Sequence, residues 1–160
     1  MDKHALREQL KAIRSGLDND FVQEASQMIA KKCLDIFSSH TIRQAHVYQT
    51  NPKWHEVDSA PLVEILKLAY PECEIEYPMI HSAANFPDRE FDLIIVPTLG
   101  FDGDRYRIGL GAGWYDRFLQ MQPNAFKLGV AYEAGFVEHV PRETHDIQLD
   151  VVVTEERVIT

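Results

Sequence analysis

The chain has 160 residues, of which 45% are hydrophobic and 26% charged, and a formal net charge of −9. That length suits one domain with a core of its own. The acidic balance excludes a nucleic-acid partner held by bulk charge, so an anionic ligand needs a local basic site.

Asp2 to Ser15 reads as a helix, because Leu6, Leu10, Ile13 and Leu17 recur at helical spacing. Lys3, Arg7, Lys11 and Arg14 form a second stripe of the same period, which by periodicity alone is a solvated polar face. Gly16 to Asp20 is a break with capping residues. Phe21 to Phe37 is a second helix, with Val22, Ala25, Ile29, Cys33 and Ile36 on a core face. Ala45 to Gln49 is a short strand, and Thr50 to Asp58 is the loop at its end, carrying Asn51, Trp54, His55 and Glu56. In α/β proteins ligands gather at such strand ends, although on the residues alone Glu56 is an exposed loop acid. Ser59 caps a helix with Pro61 in its first turn and Leu62, Ile65, Leu66 and Ala69 facing inward. Strands follow at Glu74 to Pro78 and Phe91 to Pro97 (FDLIIVP).

The next stretch, Asp102 to Leu119 (DGDRYRIGLGAGWYDRFL), holds Gly109, Gly111 and Gly113 at every second position. Arg105 and Arg107 precede them, and Trp114, Tyr115 and Asp116 follow. A strand, a glycine-rich loop and a helix in that order favour an anion. Glycines let a ligand approach the backbone closely, successive N–H groups form a nest, and the helix adds its positive end. Arg107 supplies a charge, and Asp116 suits Mg²⁺ brought by a polyphosphate. The spacing fits neither the dinucleotide fingerprint, which needs glycine where Trp114 stands, nor the P-loop, which needs Gly-Lys-Ser/Thr.

Lys127 to Tyr132 is another strand, Phe136 to Val140 a connector, and Thr144 to Thr154 ends in an apolar strand that Asp150 anchors. Helix and strand signals thus alternate, which argues a mostly parallel α/β sheet covered by helices. Cys33 and Cys73 lie in no metal or redox spacing and read as reduced core residues of a cytoplasmic protein. No apolar leader and no run of ~18 apolar residues occurs, so no membrane partner is expected. The seven histidines lack metal spacing, and only His145, beside Asp146, stands near a residue of interest.

The string FDLIIVPTLGFDGDRYRIGLGAGWYDRFL resembles the signature of the 5-formyltetrahydrofolate cyclo-ligase (methenyltetrahydrofolate synthetase) family. It matches at Pro97, Phe101-Asp102, Arg107-Ile108-Gly109, Gly111 and Gly113-Trp114-Tyr115-Asp116-Arg117. The resemblance implies a three-layer α/β/α fold with a mostly parallel sheet over residues 1–160, as a single domain. It implies ATP- and Mg²⁺-dependent conversion of 5-formyltetrahydrofolate to 5,10-methenyltetrahydrofolate, with ADP and phosphate released. ATP and a reduced folate are then the small-molecule partners.

The residue roles follow from the same resemblance. The family's Lys-x-x-x-Arg pair matches Lys3 and Arg7, which implies ATP contacts along Lys3, His4, Ala5, Leu6 and Arg7. The loop implies more at Arg107, Ile108, Gly109, Leu110, Gly111, Ala112, Gly113, Trp114 and Tyr115. Arg107 and Tyr115 are the implied catalytic residues, and Asn51, Glu56 and Tyr115 the folate contacts. Asp116 and Asp146 are the implied Mg²⁺ ligands. The chain departs from the family at residues 81–89 (HSAANFPDR), where members carry a longer excursion that lines the folate site, and at Leu110 and Ala112, where many carry a basic residue and Gly or Lys. The first departure favours a different small substrate; the second favours a non-catalytic nucleotide-binding or regulatory protein.

Overall fold

A computed structural model of the chain describes residues 1–78 and 86–160. Residues 81–85 of the shortened segment lie outside the described residues. The elements are α1 (Lys3–Ser15), α2 (Asn19–Ser38), β1 (Gln44–Val47), α3 (Ala60–Ala69), β2 (Glu74–Glu76) and β3 (Leu93–Pro97). They continue with β4 (Gly100–Phe101), β5 (Arg107–Ile108), α4 (Trp114–Gln120), β6 (Phe126–Val130), β7 (Val151–Val153) and β8 (Val158–Ile159). No helix among the described residues is long and apolar enough to cross a membrane.

The main sheet has the order β2-β1-β3-β6-β7-β8. Every neighbouring pair is parallel except β7 with β8. Strand β3 shows why. Leu93 and Ile95 join one buried cluster, and Ile94 and Val96 the other. A strand covered on both faces needs a continuous apolar run, and LIIV is one. Ile29, Cys33 and Phe37 of α2 with Leu62 and Leu66 of α3 cover the first face. Phe118 and Leu119 of α4 cover the second. The three-layer α/β/α arrangement is therefore as the sequence implied.

Asp2 and Asp18 cap the first two helices, each accepting a backbone N–H at 2.7 Å, from Ala5 and Phe21. The Ser59 side chain makes no such bond, contrary to the sequence reading. Its hydroxyl is engaged with Thr50 Oγ1 at 2.9 Å, and Asp58 Oδ1 accepts the Ala60 N–H instead. The apolar stripe of α1 also differs from expectation: Ile13 is 40% exposed, whereas Arg14 is only 7% exposed. The buried face runs through Leu6, Leu10 and Arg14. Leu6 and Leu10 pack on Leu99, Ile108 and Val140, so this face seats α1 on the hairpin of β4 and β5. That hairpin was not foreseen, because two-residue strands are too short to show alternation. Asp102, buried at its turn, holds it by accepting the N–H groups of Asp104, Tyr106 and Val140 at 3.0, 3.1 and 3.0 Å.

Two stability predictions arise here. A Cβ on Gly135 would lie 2.6 Å from the backbone oxygen of Leu99, where no side chain can give way. Gly135→Ala should destabilise the fold by about 1–3 kcal/mol, read as a lower urea midpoint; a midpoint equal to wild type would contradict this packing. The second concerns His46 on β1, which is fully buried with its ring 4.7 Å from Phe118, 5.3 Å from Phe91 and 5.8 Å from Trp114. Neither ring nitrogen has a partner among the described residues. Burial, aided by the Arg89 charge, lowers its pKa from 6.5 to about 4. The folded state then holds fewer protons than the unfolded one between those values. Stability intact above pH 6.5 is lost as pH falls toward 4, by on the order of 3 kcal/mol. His46→Leu should shrink the difference in melting temperature between pH 7 and pH 5. An unchanged difference would assign the acid sensitivity to other groups.

Candidate active site

A cleft of about 490 Å³ opens beyond the C-terminal ends of β1 and β3, where Tyr48, Gln49 and Pro97 form its floor. Lys3, Arg7 and Arg14 of α1 form one wall, and the loop from Gly109 to Gly113 with the start of α4 forms another. The placement follows from topology. In a parallel sheet the strand ends carry the loops and leave a crevice between them.

The glycine loop is shaped around two guanidinium groups. Gly111 has φ +115° and Gly113 φ +68°, conformations that side chains rarely adopt. Arg7 donates from Nε to the Gly109 carbonyl at 2.9 Å. A Cβ on Gly109 would lie 2.7 Å from Arg107 Nη1, so only glycine lets that guanidinium lie against the loop. Arg107 is 8% exposed. Its Nη1 donates to the Pro97 carbonyl at 3.3 Å, and its Nη2 lies 3.7 Å from Asp116 Oδ1. Its guanidinium carbon sits 5.6 Å from the centre of the Tyr115 ring. Burial pulls the Arg107 pKa down, while the Asp116 carboxylate favours the cation. The Tyr115 hydroxyl is buried with no partner among the described residues, and burial pushes its pKa up.

The loop after β1 adds Asn51, Trp54 and Glu56 to the lining. Asn51 Oδ1 accepts the Lys53 N–H at 3.1 Å and opens a 3₁₀ turn over Pro52–Trp54. His55 closes that turn at φ +49° and binds the Leu17 carbonyl through Nδ1 at 2.8 Å. The turn directs Glu56 inward. Glu56 is 8% exposed, not the exposed loop acid that its residue type suggests, and accepts the Asn51 N–H at 2.7 Å. Burial raises its pKa, opposed by that N–H and by the Arg14 charge.

The remaining expected residues divide between the cleft and its supports. Leu110, Ala112, Trp114 and Tyr115 line the cleft together with the glycines. Leu6 and Ile108 are buried in the cluster that seats α1, and His4 and Ala5 are exposed outside the cleft lining. Asp116 lines the cleft on the first turn of α4. Asp146 is engaged elsewhere: both carboxylate oxygens lie 2.7 Å from Lys3 Nζ, and Oδ2 accepts the Glu143 N–H. Among the described residues, one group of three such side chains is close enough to share an ion, Glu143, His145 and Asp146, with ligand atoms within 4.8 Å of one another; Asp116 is not in that group of three. The sequence reading assigned no role to Arg14, Tyr48 or Glu143, which also line the cleft. For Arg14 a signal existed, since it continues the stripe of Lys3 and Arg7 on the same helix.

Comparison with known proteins is consistent along the chain. Residues 51–155 match the sequence model of the 5-formyltetrahydrofolate cyclo-ligase family. A 5-formyltetrahydrofolate cyclo-ligase of Mycoplasma pneumoniae is 30% identical over 167 residues, which span 98% of this chain and 100% of that protein. A relative matched over its whole length is thus of similar compact size. A solved 5,10-methenyltetrahydrofolate synthetase from Mycoplasma pneumoniae has a TM-score of 0.82 at 26% identity, covering 97% of this chain and 99% of that one. Another, from Aquifex aeolicus, has a TM-score of 0.77 at 29% identity, covering 99% of this chain and 92% of that one.

Proposed function

The chain belongs to the 5-formyltetrahydrofolate cyclo-ligase family, and from that premise we propose that its cleft couples ATP cleavage to ring closure of 5-formyltetrahydrofolate. We read residues 1–160 as one domain built around that cleft. The observation that carries the reading is the glycine loop, with the guanidinium groups of Arg7 and Arg107 lying against it in a cleft that the buried Glu56 also lines.

The formyl oxygen is a poor leaving group. It attacks the γ-phosphorus of ATP, the bond to ADP breaks, and an iminium phosphate results. N10 of the folate then attacks the activated carbon and loses its proton. Phosphate leaves with the former formyl oxygen, which gives 5,10-methenyltetrahydrofolate. Little covalent chemistry falls to the protein; positioning and charge neutralisation do the work. Lys3, Arg7 and Arg107 neutralise the phosphates, and residues 107–115 wrap them. Arg107 sits where charge grows on the transferring group, with Tyr115 beside it, and Glu56, Asn51 and Tyr115 hold the folate.

Mg²⁺ fits the oxygen donors present, because Asp116 opens on the cleft and Asp146 presents a carboxylate beside its wall. Asp116 and Asp146 would hold the ion, with Asp146 giving up its bond to Lys3. Bound there, the ion would supply charge neutralisation on the polyphosphate, and Lys3 would add its charge to the same phosphates.

The test is absorbance at the methenyl-folate band, with purified protein, ATP, Mg²⁺ and 5-formyltetrahydrofolate. A rise that requires ATP is expected. ATP binding without any rise would move the reading to a family member with a different substrate.

A further inference from the structure

Four cationic side chains of the cleft are already engaged. Lys3 is bound to Asp146, Arg7 to the Gly109 carbonyl, Arg107 to Pro97 and Asp116, and Arg117 to the Ala112 carbonyl. Arg14 is different. It is 7% exposed and lines the cleft, yet its guanidinium makes no hydrogen bond and no ion pair within 4.0 Å among the described residues. Glu56 is close enough to favour the Arg14 charge, as are Tyr48 and Tyr132. None of the three is a bonded partner. The Tyr48 hydroxyl donates to the Val57 carbonyl, and Glu56 accepts from Asn51. A guanidinium with five donors that lines a cleft and has no protein acceptor beside it relies on solvent, and a ligand that brings an acceptor takes the place of that solvent.

Arg14 and Glu56 both line the cleft and present opposite demands. A ligand edge that satisfies both carries donors for the carboxylate next to an acceptor for the guanidinium. A 2-amino-4-oxo pteridine has that edge: the 2-amino group and N3–H donate, and the adjacent 4-oxo oxygen accepts. We propose that Arg14 is a specificity-determining residue that donates to the 4-oxo oxygen of the pterin, while Glu56 accepts from the neighbouring N3–H and 2-amino group. The assignment rests on the folate reading of the cleft. It gives Arg14 a part separate from the phosphate end, where Lys3, Arg7 and Arg107 gather.

The experiment compares wild type, Arg14→Met and Arg14→Lys by steady-state kinetics, and by binding of 5-formyltetrahydrofolate and its 4-amino analogue without ATP. The 4-amino compound replaces the acceptor at position 4 by a donor and also lacks the N3–H that faces Glu56. Arg14→Met should raise the KM for the folate on the order of 10- to 100-fold, as loss of a charged hydrogen bond implies. The KM for ATP should stay within about threefold. The preference of wild type for the 4-oxo over the 4-amino compound should fall in Arg14→Met by the same factor, leaving the share that Glu56 contributes through N3–H. Arg14→Lys, which keeps the charge and loses the fork, should fall between, and it carries the test if the Met variant melts early. An unchanged folate KM, a parallel rise in both KM values, or an unchanged preference between the two compounds would overturn the assignment. Wild-type protein that neither binds nor turns over the folate would overturn the underlying reading and the assignment with it, a result distinct from the other three.

Discussion

Arg107→Met is expected to leave the unfolding midpoint near that of wild type while removing essentially all turnover. Arg107 is buried, has a single carboxylate at 3.7 Å, and leaves Nε with no partner among the described residues. A cation so placed carries a desolvation cost that its contacts barely offset, and Asp116, 19% exposed on the cleft, keeps access to water once the cation is gone, so its loss should cost the fold little. In the proposed reaction the guanidinium serves the transferring phosphoryl group, where a positioned arginine is worth roughly 10³- to 10⁵-fold in rate. Turnover followed at the methenyl band and a thermal melt on the same preparation check both halves. If activity and stability fall together, the side chain is a structural element and its placement at the reacting phosphate is wrong. Arg107→Lys should not rescue well, because the Pro97 carbonyl and Asp116 are met by different nitrogens of one planar fork.

Asp116→Asn should lower kcat by roughly 100- to 1,000-fold and move the Mg²⁺ activation curve to higher concentration. The carboxylate lies on the first turn of α4, with its side chain 19% exposed toward the cleft. Asn keeps the shape, so the fold and metal-free nucleotide binding should persist. A Mg²⁺ titration that overlays wild type would remove Asp116 from the metal site, whatever happened to kcat. The matching experiment on Asp146 is less direct, because that residue also binds Lys3 and the Glu143 N–H.

The layered fold was legible because its signals are local. LIIV at 93–96 and the helical spacing over Phe21 to Phe37 each read correctly without their neighbours. The loop from Gly109 to Gly113 was legible for the same reason. The misreadings have a common cause, since each depended on a distant contact. Arg14 looked like a surface residue because its one local signal, the stripe it shares with Lys3 and Arg7, does not reveal that α1 packs on a hairpin about ninety residues away. Glu56 looked exposed because its inward turn depends on the His55 backbone and on Leu17. Ser59 was read as a cap by residue type, but Thr50 had claimed its hydroxyl. His46 carried no motif at all; only the aromatic packing of β1 against α4 makes it notable.

The contact between Lys3 and Asp146 joins residues 143 positions apart in the chain. A ribosome releases Lys3 early, and by the time Asp146 emerges the strands up to β6 have been made. The basic stripe of α1 thus spends most of synthesis without the carboxylate that later holds its first lysine. This part of the cleft wall is therefore fixed only after much of the sheet exists, and in a nascent chain arrested before residue 143 the Lys3 side chain stays without its carboxylate even if the sheet has begun to assemble.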